Sequence, residues 1–116
     1  MPHLRLEYST NVIEKNDLFP LFENLHVLLA EKLPTEIASC TSRAIPCDIY
    51  HIADGQSPHA FVHLEIKALS GRTLETLNNT GRQVMETLKN HFADSAKKLN
   101  LKISLEIIEL PKTYFH

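Results

Sequence analysis

The sequence predicts an α+β domain built from a tandem β-α-β repeat. Two segments alternate polar and apolar residues, and each is followed by a segment whose apolar residues recur at helical spacing. Each of these helical segments leads into a further strand-like segment. Strands joined by a crossover helix pair in parallel, so the repeat predicts a four-stranded mixed sheet with both helices on one face. With 116 residues, the chain has the length of a single domain, residues 1–116.

The first repeat unit opens with a strand at residues 3–8, where polar and apolar side chains alternate. After a polar connection, Asp17 is the predicted N-cap of the first helix. The apolar stripe of that helix runs over residues 18–33, and Pro34 ends it. A weaker strand signal covers residues 37–50 and completes the unit.

The second repeat unit follows a turn-rich connection at residues 51–58. Its first strand is clear at residues 62–68, and residues 70–73 are typical of a helix start. The helical stripe that follows covers residues 74–96, about six turns at the usual helical pitch. The last strand is predicted at residues 101–107.

The strand alternation also predicts a sheet with one apolar and one polar face. The apolar face packs on the helices, and the opposite face must either meet water or line a polar interior created by assembly. The predicted polar face carries Arg5, Glu7, His63, Glu65, Lys67, Lys102, Ser104 and Glu106.

Composition excludes several classes of protein. The net charge of −2 provides no concentrated basic surface for nucleic acid. No apolar run is long enough to span a membrane, and the alternating first residues do not resemble a signal peptide. Cys40 and Cys47 form neither a zinc nor a redox motif. We therefore expect a reducing, cytoplasmic setting, with no nucleic-acid or membrane partner.

Metal and cofactor motifs are also missing from the sequence. His59 and His63 lie in or beside a strand, where four residues span about 13 Å, too far for both to bind one zinc ion without a bend. No glycine-rich phosphate loop is present. The two cysteines lack a partner base in the sequence pattern, so we expect them to be buried, inert thiols. No metal and no cofactor is predicted.

Pro2 is the most unusual candidate residue. An initiator methionine is readily removed before a small side chain, and removal of Met1 would leave proline at the amino terminus. Within a chain the proline nitrogen is an amide without a proton. At the terminus it becomes a secondary amine in a rigid ring, which is able to accept and return a proton. Pro2 is therefore a candidate general base.

Two arginines are candidates for binding an anion. Arg72 stands at the start of the second predicted helix, where unpaired N–H groups and the helix dipole favour negative charge. A guanidinium there can bind a carboxylate through two parallel hydrogen bonds. Arg43 lies within the weaker strand, and its position alone is equally compatible with a solvent-facing side chain.

The β-α-β repeat behind Met1-Pro2-His3, with an arginine at the second helix start, resembles the tautomerase superfamily. Within it, the chain resembles the 5-carboxymethyl-2-hydroxymuconate Δ-isomerase family from Pro2 to about Leu110. The matching segments, in order, are Leu21-Phe22, Ala53-Asp54-Gly55-Gln56, Ala60-Phe61-Val62-His63, Gly71-Arg72-Thr73-Leu74-Glu75, His91-Phe92-Ala93 and Glu106-Ile107-Ile108-Glu109-Leu110.

The resemblance implies a homotrimer whose sheets form a central barrel, with the polar sheet face turned inward. It implies a cofactor-free isomerase or tautomerase of aromatic-compound catabolism, in which Pro2 is the general base. Arg72 and Arg43 would bind the carboxylates of an unsaturated 2-hydroxy or 2-oxo acid. The family pattern has Arg-x-Arg in the second strand, whereas this chain has Thr41-Ser42-Arg43.

Two alternatives remain open at the level of sequence. The first keeps the fold and Pro2 but acts on another substrate, such as a monocarboxylate enol, or uses the same amine in a hydratase-like reaction. Thr41 in place of an arginine favours this reading. The second is a trimeric binding module without enzymatic activity.

Overall fold

The computed structural model describes residues 1–116. Strands and helices alternate along the chain as the repeat predicts, with one additional short helix near the end. The elements are β1 His3–Ser9, α1 Phe19–Lys32, β2 Thr41–Cys47, β3 His59–Ala68, α2 Leu74–His91, α3 Ala93–Lys98 and β4 Asn100–Glu109.

The four strands form one mixed sheet in the order β2-β1-β3-β4. β1 pairs in parallel with β2, and β3 pairs in parallel with β4, whereas β1 and β3 are antiparallel. Each β-α-β unit is therefore a parallel pair, as predicted. In the register of the sheet, His3 lies opposite Thr41 of β2 and Lys67 of β3, and Ala68 of β3 lies opposite Glu109 of β4. The starts of β1 and β2 therefore lie beside the ends of β3 and β4. We call this edge, around Pro2, Thr41, Lys67 and Glu109, the Pro2 end of the sheet.

Both long helices pack on the same face of the sheet and share one core with it. Burial alternates along β3, where every second residue from Ala60 to Ala68 is buried. Apolar burial of this kind is the main stabilising contribution to the fold. The fully buried side chains include Leu4 and Leu6 of β1, Leu21, Leu25 and Leu29 of α1, Val62, Leu64 and Ile66 of β3, and Val84 and Leu88 of α2.

The opposite sheet face is polar, as the alternation predicts. Ion pairs run along it: Arg5 lies 3.5 Å from Glu7, and Lys67 lies 3.8 Å from Glu65. His63 contacts both Ser104, at 2.7 Å, and Glu106, at 3.3 Å. These pairs are partly exposed, so they make the face polar without adding much stability.

The second predicted strand is shorter than its sequence signal. Residues 37–39 form a 3₁₀ turn, and β2 covers only Thr41–Cys47. Pro46 lies within this strand because β2 is at the edge of the sheet, where a residue without an N–H group does not interrupt a ladder.

The predicted N-cap at Asp17 is wrong. A 3₁₀ turn at Ile13–Asn16 precedes α1, and the backbone N–H of Asp17 bonds to the carbonyl of Glu14 at 2.9 Å. Leu18 takes the cap position without a side-chain hydrogen bond, and it is buried in the core. Burial of Leu18 therefore sets the start of α1, with Pro20 supplying a pre-formed helical φ in the first turn.

The second helix is not continuous to Ala96, as the stripe predicted. α2 ends at His91 and α3 begins at Ala93. Ser95 of α3 is fully buried, and both its N–H and its hydroxyl donate to the carboxylate of Glu14. This anchor turns α3 toward the 3₁₀ turn at residues 13–16 and leaves Ala96 exposed.

Candidate active site

Pro2 lies at the Pro2 end of the sheet, directly before β1. Its ring is buried, and its carbonyl accepts a hydrogen bond from the backbone N–H of Thr41 at 3.1 Å. This bond continues the parallel ladder between β1 and β2, so the residue is held by the sheet rather than in a loose terminus. A catalytic nitrogen at this position would have a fixed location.

Arg43 reaches back along β2 to the same end of the sheet. Its Nη2 lies 3.3 Å from Nδ1 of His3, the residue next to Pro2. Arg43 is exposed, and the remaining N–H groups of its guanidinium can bind an anion. The structure therefore places Arg43 against His3, the residue that follows Pro2, at the Pro2 end of the sheet.

Arg72 comes to the same end of the sheet from the connection between β3 and α2. Its guanidinium donates to the backbone carbonyls of Leu69 at 2.7 Å and Leu33 at 2.8 Å. These bonds tie the end of α1 to the end of β3. The side chain is thus held in place by structural contacts, while its unused N–H groups still leave donors for a carboxylate.

α2 begins where the sequence predicts, directly after residues 70–73. The helix begins at Leu74, and Thr73 caps it by accepting a hydrogen bond from the N–H of Thr76. Arg72 stands just outside this cap, at the helix start that the sequence predicted. Leu74 is 73% exposed and does not join the core.

The C-terminal tail completes the surroundings of His3. After β4, the N–H of Leu110 bonds to the carbonyl of Ala68 at 2.7 Å, and a turn joins the N–H of Tyr114 to the carbonyl of Pro111 at 3.0 Å. The tail thereby crosses β3 to reach β1. The hydroxyl of Tyr114 lies 2.6 Å from Nε2 of His3, and the two rings meet edge to face.

Several cations lie around His3 at this end, together with the carboxylates of Glu65 and Glu109. Partial burial lowers the pKa of His3 below its usual value, and Arg43, the amino terminus and Lys67 lower it further. His3 is therefore neutral at pH 7. A cluster of cations around a neutral ring favours an anionic ligand.

The two cysteines are half-buried rather than buried, which corrects the sequence expectation. Burial raises the pKa of the Cys40 thiol, although the nearby amino terminus opposes this shift. A raised pKa keeps the sulfur protonated at neutral pH, where a thiol is a poor nucleophile. Cys40 precedes Thr41 and so lies near Pro2 without a base to activate it.

The histidines considered as metal ligands have other partners. His59 contacts Asp54 and Asn100, each at 3.0 Å, at the opposite end of the sheet. His63 contacts Ser104 and Glu106 on the polar face. No group of three or more His, Cys, Asp or Glu side chains is arranged to hold a metal ion.

Two cavities of the structure are not lined by Pro2. One, of about 690 Å³, is a groove between α2 and β4 that includes Leu77, Met85 and Leu105. The other, of about 450 Å³, lies between the start of α1 and β2 and includes Arg43. Neither is lined by Pro2, so a single chain does not enclose a deep pocket around the proline.

Two residues beside Pro2 were not identified from the sequence. In the sequence, His3 belonged to the alternating pattern of β1 and to the Met1-Pro2-His3 start without a site role of its own, and Tyr114 lies 111 positions away from His3 along the chain. No spacing rule connects residues so far apart. The only available signal for His3 was its position next to Pro2.

Comparison with known proteins shows the family to which the chain belongs. A family model described as 5-carboxymethyl-2-hydroxymuconate isomerase matches residues 2–115. The chain is 37% identical over 113 residues to a 5-carboxymethyl-2-hydroxymuconate Delta-isomerase of Escherichia coli, covering 97% of this chain and 90% of that protein.

None of the helices has the length and apolar character needed to cross a bilayer.

Solved structures show the same fold. A 5-carboxymethyl-2-hydroxymuconate isomerase from Deinococcus radiodurans R1 superposes with a TM-score of 0.89 at 31% identity, covering 99% of this chain and 88% of that one. A macrophage migration inhibitory factor-like protein from Entamoeba histolytica superposes with a TM-score of 0.66 at 15% identity, covering 99% and 93%. The second similarity concerns the fold alone.

Proposed function

Because this chain belongs to the 5-carboxymethyl-2-hydroxymuconate isomerase family of the tautomerase superfamily, we propose that it moves a proton within an unsaturated 2-hydroxy or 2-oxo carboxylate, using the Pro2 amine as general base. The chain is an isomerase, as its Escherichia coli relative is; the base and the substrate class are the proposal. The observation that supports it is that Pro2 is buried at the end of the sheet where Arg43 contacts the adjacent His3.

The proposed chemistry is a proton transfer by a single amine. With Met1 removed, the Pro2 nitrogen accepts a proton from the substrate hydroxyl or an activated carbon and returns it to another carbon of the conjugated system. An amine must be unprotonated to begin, and an ordinary α-amino group titrates at about 7.7–8.0. Burial of Pro2 and the cations around it both disfavour the ammonium form. No cofactor takes part in this proton transfer.

Arg43 and Arg72 are the proposed anion-binding residues. Both guanidiniums lie at the Pro2 end and keep N–H donors beyond those used in structural bonds. Binding a carboxylate there orients the substrate against the amine. It also stabilises negative charge that develops on the substrate as the proton leaves.

We further propose that the chain assembles as a homotrimer in which the polar sheet face lines a central barrel. Two features support this assembly. The sheet has open edges at β2 and β4, which proteins normally pair or cover. Pro2 also lacks an enclosing pocket within one chain, so a neighbouring chain would have to supply the missing wall.

A second candidate function keeps the same fold and base but changes the substrate. Thr41, where the family pattern has an arginine, is exposed and lies opposite His3 across the β1–β2 ladder. A hydroxyl there provides no charge for a further carboxylate, which favours a substrate with fewer anionic groups, such as a monocarboxylate enol. The non-enzymatic alternative is set aside because the matched family is one of isomerases.

The proposal is tested by comparing the wild type with Pro2→Ala on a panel of monocarboxylic and dicarboxylic enols. We expect kcat to fall by a factor of about 10²–10⁴, the usual contribution of a positioned acid or base, with KM changed little. The ratio of kcat/KM between the two substrate classes distinguishes the two candidate substrates.

Sedimentation equilibrium supplies the control for this experiment, since both proteins should have three times the mass of one chain. A Pro2→Ala enzyme that keeps its assembly and turns over at the wild-type rate would exclude the amine as the base. A monomeric wild type would exclude the barrel.

A further inference from the structure

A hydrogen-bonded chain of three side chains crosses the Pro2 end of the sheet. Arg43 comes from β2, His3 from β1, and Tyr114 from the tail after β4. These elements lie on three different parts of the fold, and nothing in the proton transfer described above uses His3 or Tyr114. These three hydrogen-bonded side chains therefore have a role other than the proton transfer itself.

The hydrogen bonds between Arg43, His3 and Tyr114 determine which ring nitrogen of His3 carries the proton. Arg43 can only donate, so Nδ1 of His3 must carry a lone pair to accept its hydrogen bond. A neutral imidazole then carries its proton on Nε2, which donates to the oxygen of Tyr114 at 2.6 Å. The hydroxyl proton of Tyr114 is consequently not used by His3.

We propose that His3 is a positioning residue and Tyr114 a binding residue for the anionic substrate. His3 aligns the guanidinium of Arg43 at the Pro2 end of the sheet and, by donating to the Tyr114 oxygen, leaves the hydroxyl proton of Tyr114 available to a carboxylate or enolate oxygen. This inference rests on the proposed function, because it assumes that an unsaturated carboxylate binds at the Pro2 end.

The charges around His3 are consistent with this arrangement. Arg43 faces the ring from β2, Lys67 faces it from β3, and the amino terminus precedes it on its own strand. On the tail side the neighbour is Tyr114, whose ring stacks on that of His116. Partial burial lowers the pKa of His3, and Arg43 and Lys67 lower it further, which favours the neutral ring. Lys67 is also paired with Glu65 at 3.8 Å, so Arg43 is the cation that remains to attract an anion.

The first measurement is the tautomer of His3 by ¹⁵N NMR on the full chain at pH 7.5. The arrangement requires the Nε2–H tautomer in the wild type. In Arg43→Ala we expect a shift toward a mixture of tautomers, since nothing then holds Nδ1 as an acceptor. An Nδ1–H or doubly protonated His3 in the wild type would overturn the inference. This readout needs neither substrate nor turnover.

The second measurement is the affinity for trans,trans-muconate, a dicarboxylate probe, by titration calorimetry. We expect Tyr114→Phe to weaken binding about tenfold, the usual loss for one hydrogen bond to a charged group. The matched control is Tyr50→Phe, which removes the hydroxyl of a tyrosine that packs on Phe61 away from the Pro2 end. Equal affinities in the two variants, or no binding by the wild type, would contradict a binding role for Tyr114.

The two proposals fail in different ways. Muconate binding does not require proton transfer, so loss of affinity in Tyr114→Phe can be seen even in a Pro2→Ala background. If Pro2→Ala leaves turnover unchanged while Tyr114→Phe weakens muconate binding, Pro2 is not the base and Tyr114 is a binding residue. If Pro2→Ala abolishes turnover and Tyr114→Phe binds muconate as tightly as Tyr50→Phe does, Pro2 is the base and Tyr114 is not a binding residue.

Discussion

Pro2 combines two properties that a proton-transferring residue needs. Its carbonyl is fixed by the ladder to Thr41, and cationic side chains lie at the same end of the sheet. The cationic side chains at this end are Arg43, Arg72 and Lys67. At the scale of single residues, the proposed catalysis therefore depends on the position at which the sheet holds the Pro2 ring and on the charged groups at that end.

Arg72 has both a structural and a proposed binding role, and substitution separates them. Arg72→Ala removes the hydrogen bonds to Leu33 and Leu69, so we expect the free energy of unfolding to fall by about 1–3 kcal/mol. If the guanidinium also binds the substrate, KM for a carboxylate substrate rises about tenfold or more. Chemical denaturation and steady-state kinetics measure the two effects.

Arg82→Ala is the matched control for this substitution. Arg82 is exposed on α2 and bonds only to Asn79 within its own helix, so neither stability nor KM should change much. An Arg72→Ala enzyme that loses stability but keeps its KM would restrict Arg72 to its structural role.

The candidate site was predictable from the sequence only in part. Pro2 and Arg72 were identified because their positions, at a terminus and at a helix start, have a direct chemical meaning. Arg43 gained significance only when β2 paired with β1 and its guanidinium reached His3. Tyr114 was not predictable, because its contact depends on a tail that crosses the sheet.

At the scale of elements, the strands and helices were predicted well where a single periodic pattern dominates. β1, β3 and β4 follow their alternation closely. The errors lie where a tertiary contact overrides local signals. Leu18 rather than Asp17 begins α1 because it is buried, and Ser95 interrupts the second helix because Glu14 binds it.

The contact between α1 and β2 makes stability depend on pH. Nε2 of His26 lies 2.6 Å from the hydroxyl of Ser42, and burial lowers the pKa of His26 below 6.5. The unfolded chain takes up a proton near pH 6.5 and the folded chain only at lower pH. Stability from this group is therefore complete above pH 6.5 and is lost as the pH falls through that value toward the folded pKa.

We expect His26→Gln to remove this part of the pH dependence, since its amide can still contact Ser42 but does not titrate. Solvent screening of the half-buried ring limits the change to below about 1 kcal/mol. Denaturant unfolding at pH 7.5 and pH 5.0 measures it, with the exposed His51→Gln as control. The same pH dependence in both variants would exclude His26 as its source.

At the scale of the whole molecule, the topology explains why a site forms at one end of the sheet. Parallel pairing within each unit and antiparallel pairing of β1 with β3 bring two strand starts and two strand ends together. The repeat thereby gathers Pro2, Arg43 and Arg72 from distant parts of the chain. The fold class and strand directions followed from the repeat, whereas the proposed assembly requires measurement.

The central claim is that Pro2 carries a free amine whose basicity is lowered by its surroundings. The most direct test is an NMR titration of ¹⁵N-proline-labelled protein whose intact mass shows that Met1 is absent. Burial and the neighbouring cations predict a Pro2 pKa clearly below that of free proline. A pKa at or above the free-proline value would contradict the account.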